Sequence, residues 1–89
     1  MAFDWDDENI AHVGAHSIAQ DEAEQVIING AAILKVDDHG TEERIVVVGR
    51  TDAGRYLTVV FTERCGKLRI ITAFEASPAR RRHYLRGGR

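Results

Sequence analysis

Tyr56-Leu57-Thr58-Val59-Val60-Phe61-Thr62 alternates along its whole length: Tyr56, Thr58, Val60 and Thr62 face one way, Leu57, Val59 and Phe61 the other. A period of two, carried by β-branched and aromatic side chains, marks a strand. Turn signals close on it from both ends, Thr51-Asp52-Ala53-Gly54 before and Arg64-Cys65-Gly66-Lys67 after. Glu43 to Gly49 reads as the preceding strand, with Val46, Val47 and Val48 buried on both faces. Leu68 to Phe74 reads as the following one, with Arg69, Ile71 and Ala73 expected on one side. Further back, Ala31 to Val36 forms another strand and Asp37-Asp38-His39-Gly40 a turn. Strands joined by short turns give an antiparallel meander.

The flanks read differently. Phe3-Asp4-Trp5 suits a short strand with Trp5 in the core. Asp6-Asp7-Glu8 places acids at a helix start, where the dipole favours them, and Ile10, Val13 and Ser17 carry that helix to about Ala15. A second helix runs from about Gln20 to Ile28, burying Ala23, Val26 and Ile27 and stopping at Asn29-Gly30. Ser17 and Gln20 have capping-box spacing, which would start it slightly earlier. Ser77 and Pro78 are N-cap and first residue of a last, basic helix. The predicted architecture is α+β, in the order β-α-α-β-β-β-β-α, with the helices packed on one face of an antiparallel sheet. Eighty-nine residues make one domain, 1–89, with a modest core.

Composition excludes several classes. Hydrophobic content of 44% with 29% charged residues is that of a folded globular protein. No apolar run is long enough to span a membrane, and the first residues lack the pattern of a signal peptide, so no membrane role and a cytoplasmic setting are expected. With Cys65 alone, neither an internal disulfide nor a cysteine zinc site is available. The net charge of −2 conceals an asymmetry: residues 1–44 hold 11 acids and 2 bases, residues 45–89 hold 3 acids and 10 bases. A basic half attracts polyanions, and an acidic half attracts basic partners or neutralises the other.

Candidate chemistry gathers in the basic half. Arg69 on the last strand, followed by Arg80, Arg81, Arg82, His83 and Tyr84 on the helix, offers guanidinium groups that bind phosphate oxygens bidentately. His12 and His16 stand four apart on one helix face, the spacing of a two-histidine metal site. Only Val13, Gly14 and Ala15 lie between them, with no zincin-type glutamate, and neither metal nor cofactor is expected. Phosphate-loop, nucleophile-elbow and magnesium-nuclease patterns are absent.

Several of these segments, in order, resemble the BrnT family. They are Phe3-Asp4-Trp5-Asp6, His16, Asp21-Glu22-Ala23-Glu24, Gly49-Arg50-Thr51, Gly54-Arg55-Tyr56-Leu57, Val59-Val60-Phe61-Thr62 and Arg69-Ile70-Ile71-Thr72-Ala73 before a basic helix ending at Tyr84. The resemblance implies a RelE-like fold and a type II toxin that cleaves RNA and inhibits translation. It implies neutralisation by a BrnA-like antitoxin, with operator DNA contacted only through the antitoxin complex. Arg69 matches the family's strand arginine, and Arg81 and Arg82 fall among its helix arginines. The chain departs from the family at Phe74, where an arginine is usual, near Arg80, where a glutamate is usual, and at Ala15-His16-Ser17, where Lys-His-Gly is usual.

A metal-independent ribonuclease needs a base for the ribose 2′-hydroxyl, an acid for the leaving 5′-oxygen and positive charge on the phosphoryl oxygens. The resemblance points to Arg69, Arg81 and Arg82 for the charge; with His83 and Tyr84 as groups able to transfer protons they are the expected catalytic set, and Arg50, Arg64, Lys67, Arg80 and His16 are the expected RNA contacts. His16, Glu63 and Glu75 are further proton-transfer candidates. The alternative is a catalytically degenerate member acting as a binding module in a toxin–antitoxin or regulatory complex.

Overall fold

The computed structural model describes residues 1–88 and places a four-stranded antiparallel sheet among three helices. The elements are α1 (Asp7–Gly14), α2 (Gln20–Ile28), β1 (Ala32–His39), β2 (Glu42–Arg50), β3 (Tyr56–Arg64), β4 (Lys67–Glu75) and α3 (Pro78–Leu85). Strand order follows chain order, β1-β2-β3-β4, as a meander requires.

One sheet face carries the main core. Val47, Leu57, Val59, Ile70 and Ala73 pack there against Val13 and Ile18 from the first helix and its loop and against Ala23 and Val26 of α2. Gly49 lets α2 approach, because a Cβ there would stand 2.9 Å from Val26 Cγ1 and 3.2 Å from Val26 O. Val46, Val47 and Val48 are all buried, as expected of an inner strand. The helices do not share a face, contrary to expectation. Thr58 lies between Leu57 and Val59 and therefore points away from the core; it accepts from Arg80 of α3. Tyr84 of α3 stacks edge-on against Tyr56, another residue of that outer side. Ala76 and Ser77 carry the chain from β4 to α3, on the side where Thr58 and Val48 are buried.

A bulge decides where Arg69 goes. Val59 pairs with Ala73 and Val60 with Thr72, but Phe61 pairs with Ile70 and Thr62 with Arg69, leaving Ile71 as the extra residue. Arg69 and Ala73 therefore lie on opposite faces, not on one as simple alternation predicts. Arg69 joins Thr62 and Thr72 on the outer face, while Ala73 stays in the core.

The edge of β4 is covered. Phe3 makes a single parallel bridge to Leu68, so the expected first strand reduces to one bridge. Asp4 N–H donates to Leu68 O at 2.9 Å and Leu68 N–H to Ala2 O at 2.9 Å. The chain then leaves the extended conformation because Asp6 is the N-cap of α1, its carboxylate accepting from Glu8 and Asn9 N–H. Asn9, 1% exposed, donates to Asp4 O at 2.8 Å and Ile70 O at 2.9 Å and accepts from Asp6 N–H at 2.8 Å. It fixes α1 along the β4 edge.

Two boundaries move. β1 runs through Asp37 and Asp38, which pair with Arg44 and Glu43, so the turn reduces to Gly40 and Thr41. Ser17 does not cap α2; it sits in the left-handed region at φ 59°, and the helix begins at Gln20 with Glu22 Oε1 accepting from Ala19 N–H at 3.0 Å. Arg55 clamps this corner, donating to both Glu22 oxygens at 3.0 and 3.1 Å and to Ser17 O at 3.2 Å.

Candidate functional site

The outer sheet face carries two basic groups. The first surrounds a cleft of about 180 Å³ lined by Glu8, Asn9, His12, Arg44, Arg64, Arg69 and Ile71. β2 delivers Arg44, the end of β3 delivers Arg64, β4 delivers Arg69 and α1 delivers His12. The Ile71 bulge is what turns Arg69 toward the other two arginines.

Each arginine already has a carboxylate. Arg69 forks onto Asp6, with Nη1 at 3.0 Å from Oδ2 and Nη2 at 3.1 Å from Oδ1, and reaches Asp4 at 3.6 Å. The Arg69 hydrogen bond is the main cause holding the Asp6 carboxyl below the usual carboxylate range. In return the hydrogen bond that Arg69 donates to Asp6 raises the Arg69 pKa further, against the opposing effect of burial. Glu42 serves both others, 2.6 Å from Arg64 and 3.4 Å from Arg44, and the Arg64 hydrogen bond leads in lowering its pKa. Access differs sharply: the Arg69 side chain is 7% exposed, Arg44 37% and Arg64 50%. Arg44 and Arg64 are the guanidinium groups an incoming phosphate can reach; Arg69 is committed to holding the helix start.

His12 lies on the rim. Its Nδ1 is 3.3 Å from Ile71 O. A carbonyl only accepts, so in this contact Nδ1 carries the proton and Nε2 of the neutral ring is left as an acceptor.

The second group surrounds Tyr56 at the other end of the face. Arg81 lies over the Tyr56 ring at 4.4 Å and Arg50 at 6.0 Å, with Tyr84 edge-on at 6.1 Å. Arg80 donates to Thr58 Oγ1 at 3.4 Å and stands 6.0 Å from the Phe74 ring, which His16 approaches at 5.8 Å from the other element. Phe74 and Arg80, two of the three positions where the sequence departs from the pattern it resembles, thus stand beside each other. Ser77 caps this helix by accepting from Arg80 N–H, and Pro78 occupies its first turn.

The predicted residues divide between these groups. Arg64 and Arg69 belong to the cleft; Arg50, Arg80, Arg81, Tyr84 and, through Phe74, His16 belong to the Tyr56 end. Arg82 is exposed, His83 half-buried, and Lys67 exposed beside the β3–β4 turn. Glu63 is exposed on that same hairpin, and Glu75 meets Arg55 at 3.5 Å on the side of the core helices. Thr58 and Thr62 mark the two ends on β3, four residues or about 13 Å apart. Val60 and Thr72 lie between them on the same face. Arg44 and His12 complete the cleft without having been singled out for it by sequence; the one available signal was His12 following Asn9 by a helical turn. Among the described residues no group of three or more His, Cys, Asp or Glu side chains is placed to hold a metal ion. No helix is long and apolar enough to cross a membrane.

A family model described as "Ribonuclease toxin, BrnT, of type II toxin-antitoxin system" matches residues 5–79. Comparison with curated proteins and with solved structures finds no match.

Proposed function

The chain belongs to the BrnT family of ribonuclease toxins of type II toxin–antitoxin systems, and from that premise we propose that its substrate phosphate binds in the arginine cleft and is cleaved there without a metal. The observation that carries this reading is the convergence of Arg44, Arg64 and Arg69 with His12 on one small cleft. Arg64 and Arg44 hold the phosphoryl oxygens, exchanging Glu42 for phosphate. His12 Nε2 accepts the proton of the 2′-hydroxyl as that oxygen attacks phosphorus, and the leaving 5′-oxygen takes its proton from water. Arg69 adds positive charge from below and, through Asp6, positions the helix that carries His12.

The Tyr56 end binds the flanking RNA. Arg50, Arg80 and Arg81 contact phosphates, and Tyr84 and Tyr56 give an aromatic surface for bases. His16, Arg82 and His83 extend this basic margin, and Lys67 contacts RNA beside the cleft, next to Arg64. We assign the fold as RelE-like and residues 1–89 as one BrnT-like domain acting in the cytoplasm. The consequence of cleavage is inhibited translation. The inhibitor is a BrnA-like antitoxin that covers this face and carries the operator-DNA contact; electrostatic attraction makes their association fast and salt-sensitive.

The test is RNA cleavage by the purified chain in EDTA, beside His12→Gln. The expected result is cleavage leaving 2′,3′-cyclic phosphate ends, reduced roughly a hundredfold or more by the substitution. A second reading, a non-catalytic binding module, is favoured by the carboxylates already occupying the arginines and by the Phe74–Arg80 pair. RNA binding without cleavage, by a folded protein across several RNAs, would decide for it.

A further inference from the structure

The two outer strands of the sheet are treated differently. The edge of β4 is taken by Ala2, Asp4, Asn9 and His12. Along β1, among the described residues, no hydrogen bond reaches the edge away from β2. Beside that edge Ile33 is 63% and Val36 51% exposed. Both lie on the side of the core helices, since they pair with Val47 and Ile45. An uncovered edge flanked by exposed apolar side chains is a template for another strand.

The charges along β1 specify which strand. Lys35 and Asp37 share the outer face and flank Val36; within the strand they pair at 3.1 Å. In a two-fold antiparallel pairing, directly opposed residues must share a face. The registers that keep the middle of β1 paired are centred on Lys35, Val36 or Asp37. The first sets lysine against lysine and the third aspartate against aspartate, both unfavourable. The register centred on Val36 sets the two valines together and opposes each Lys35 with Asp37 of the partner subunit. Opposite signs two residues apart make the strand complementary to itself.

We infer that β1 is the pairing edge for a second copy of this chain, in the antiparallel register centred on Val36. The sheet then continues through eight strands, and the two in-strand ion pairs merge into one ring of four charges. The arginine cleft is lined from α1, β2, β3 and β4 and by no residue of β1, so the pairing edge is not part of it. The inference does not depend on catalysis.

The experiment is sedimentation velocity on the full chain, in reductant so that Cys65 stays a thiol, from low micromolar to near-millimolar concentration. The wild type should move from 9.9 kDa toward twice that mass. Lys35→Asp opposes two pairs of acids and Asp37→Lys two pairs of lysines; each should stay monomeric while circular dichroism shows an unchanged fold. The double variant K35D/D37K restores complementarity and should recover the dimer. A wild type that is monomeric throughout, a dimer indifferent to either single reversal, or a double variant that fails to recover would each overturn the inference.

Discussion

Asp6 and Arg69, 63 positions apart, form a forked ion pair in which the same carboxylate also caps α1. One side chain therefore ties the start of the first helix to the last strand. Its pKa is lowered in the fold, chiefly by the Arg69 hydrogen bond, and those of Glu22 and Glu42 are lowered too. For Glu22 the leading cause is the Ala19 N–H, with Arg55 adding to it.

These shifts set an acid limit. A depressed carboxylate pKa gives stability that is complete above the unfolded value and is lost as pH falls through the folded one. The loss should begin as pH drops through the ordinary values of 3.8 for Asp and 4.5 for Glu. Thermal melting across this range should show Tm falling on the acid side. Asp6→Asn keeps the cap but should give a shallower fall, since the ion pair is already absent.

Asn9 is the buried fastener of α1. Asn9→Ala removes three hydrogen bonds and leaves Ile70 O without its side-chain donor, at a cost of about 1–3 kcal/mol. Denaturant unfolding should show the unfolding free energy lowered by that amount and the midpoint lowered with it, and activity should fall because His12 is carried on the same helix.

Cys65 occupies a left-handed position in the β3–β4 turn at φ 54°, followed by Gly66 at φ 77°. Two positive φ values in succession suit Asn-Gly, and a residue with a larger backbone penalty loses stability there. Cys65→Asn should raise stability by roughly 0.5–1 kcal/mol, seen as a higher Tm in reductant.

The two ends of the outer face should separate kinetically. Arg64→Ala removes charge where it develops during phosphoryl transfer, and kcat should drop by roughly a hundredfold or more. Arg81→Ala acts on flanking RNA and should raise KM with little change in kcat, while lowering the salt dependence of binding by about one phosphate contact.

The meander was legible because its turns announce themselves: Asp52 to Gly54, and Cys65-Gly66, are local signals. The last helix was legible from Ser77-Pro78 for the same reason. The face chosen by α3 was not, since a strand buried on both sides, as Val46-Val47-Val48 is, looks alike whichever side the helix takes. The Ile71 bulge was illegible too. An isoleucine in a bulge reads like an isoleucine in a strand, and missing it put Arg69 with Ala73. The arginines of the site were recognisable as arginines; their division between two ends of the face depended on that one unpaired residue.

That bulge and the N-terminal staple have a consequence during synthesis. The cleft is lined by residues 8 to 12 on one side and 64 to 71 on another, so one wall is synthesised well before the other. A ribosome-bound fragment that has exposed the first helix lacks its main docking strand until β4 emerges. Helix α1 bonds Asn9 to Ile70 O of that late-coming strand and buries Val13 in a core that α2, β2 and β3 share, so its final seat has to wait. The cleft therefore cannot form before β4 has left the ribosome.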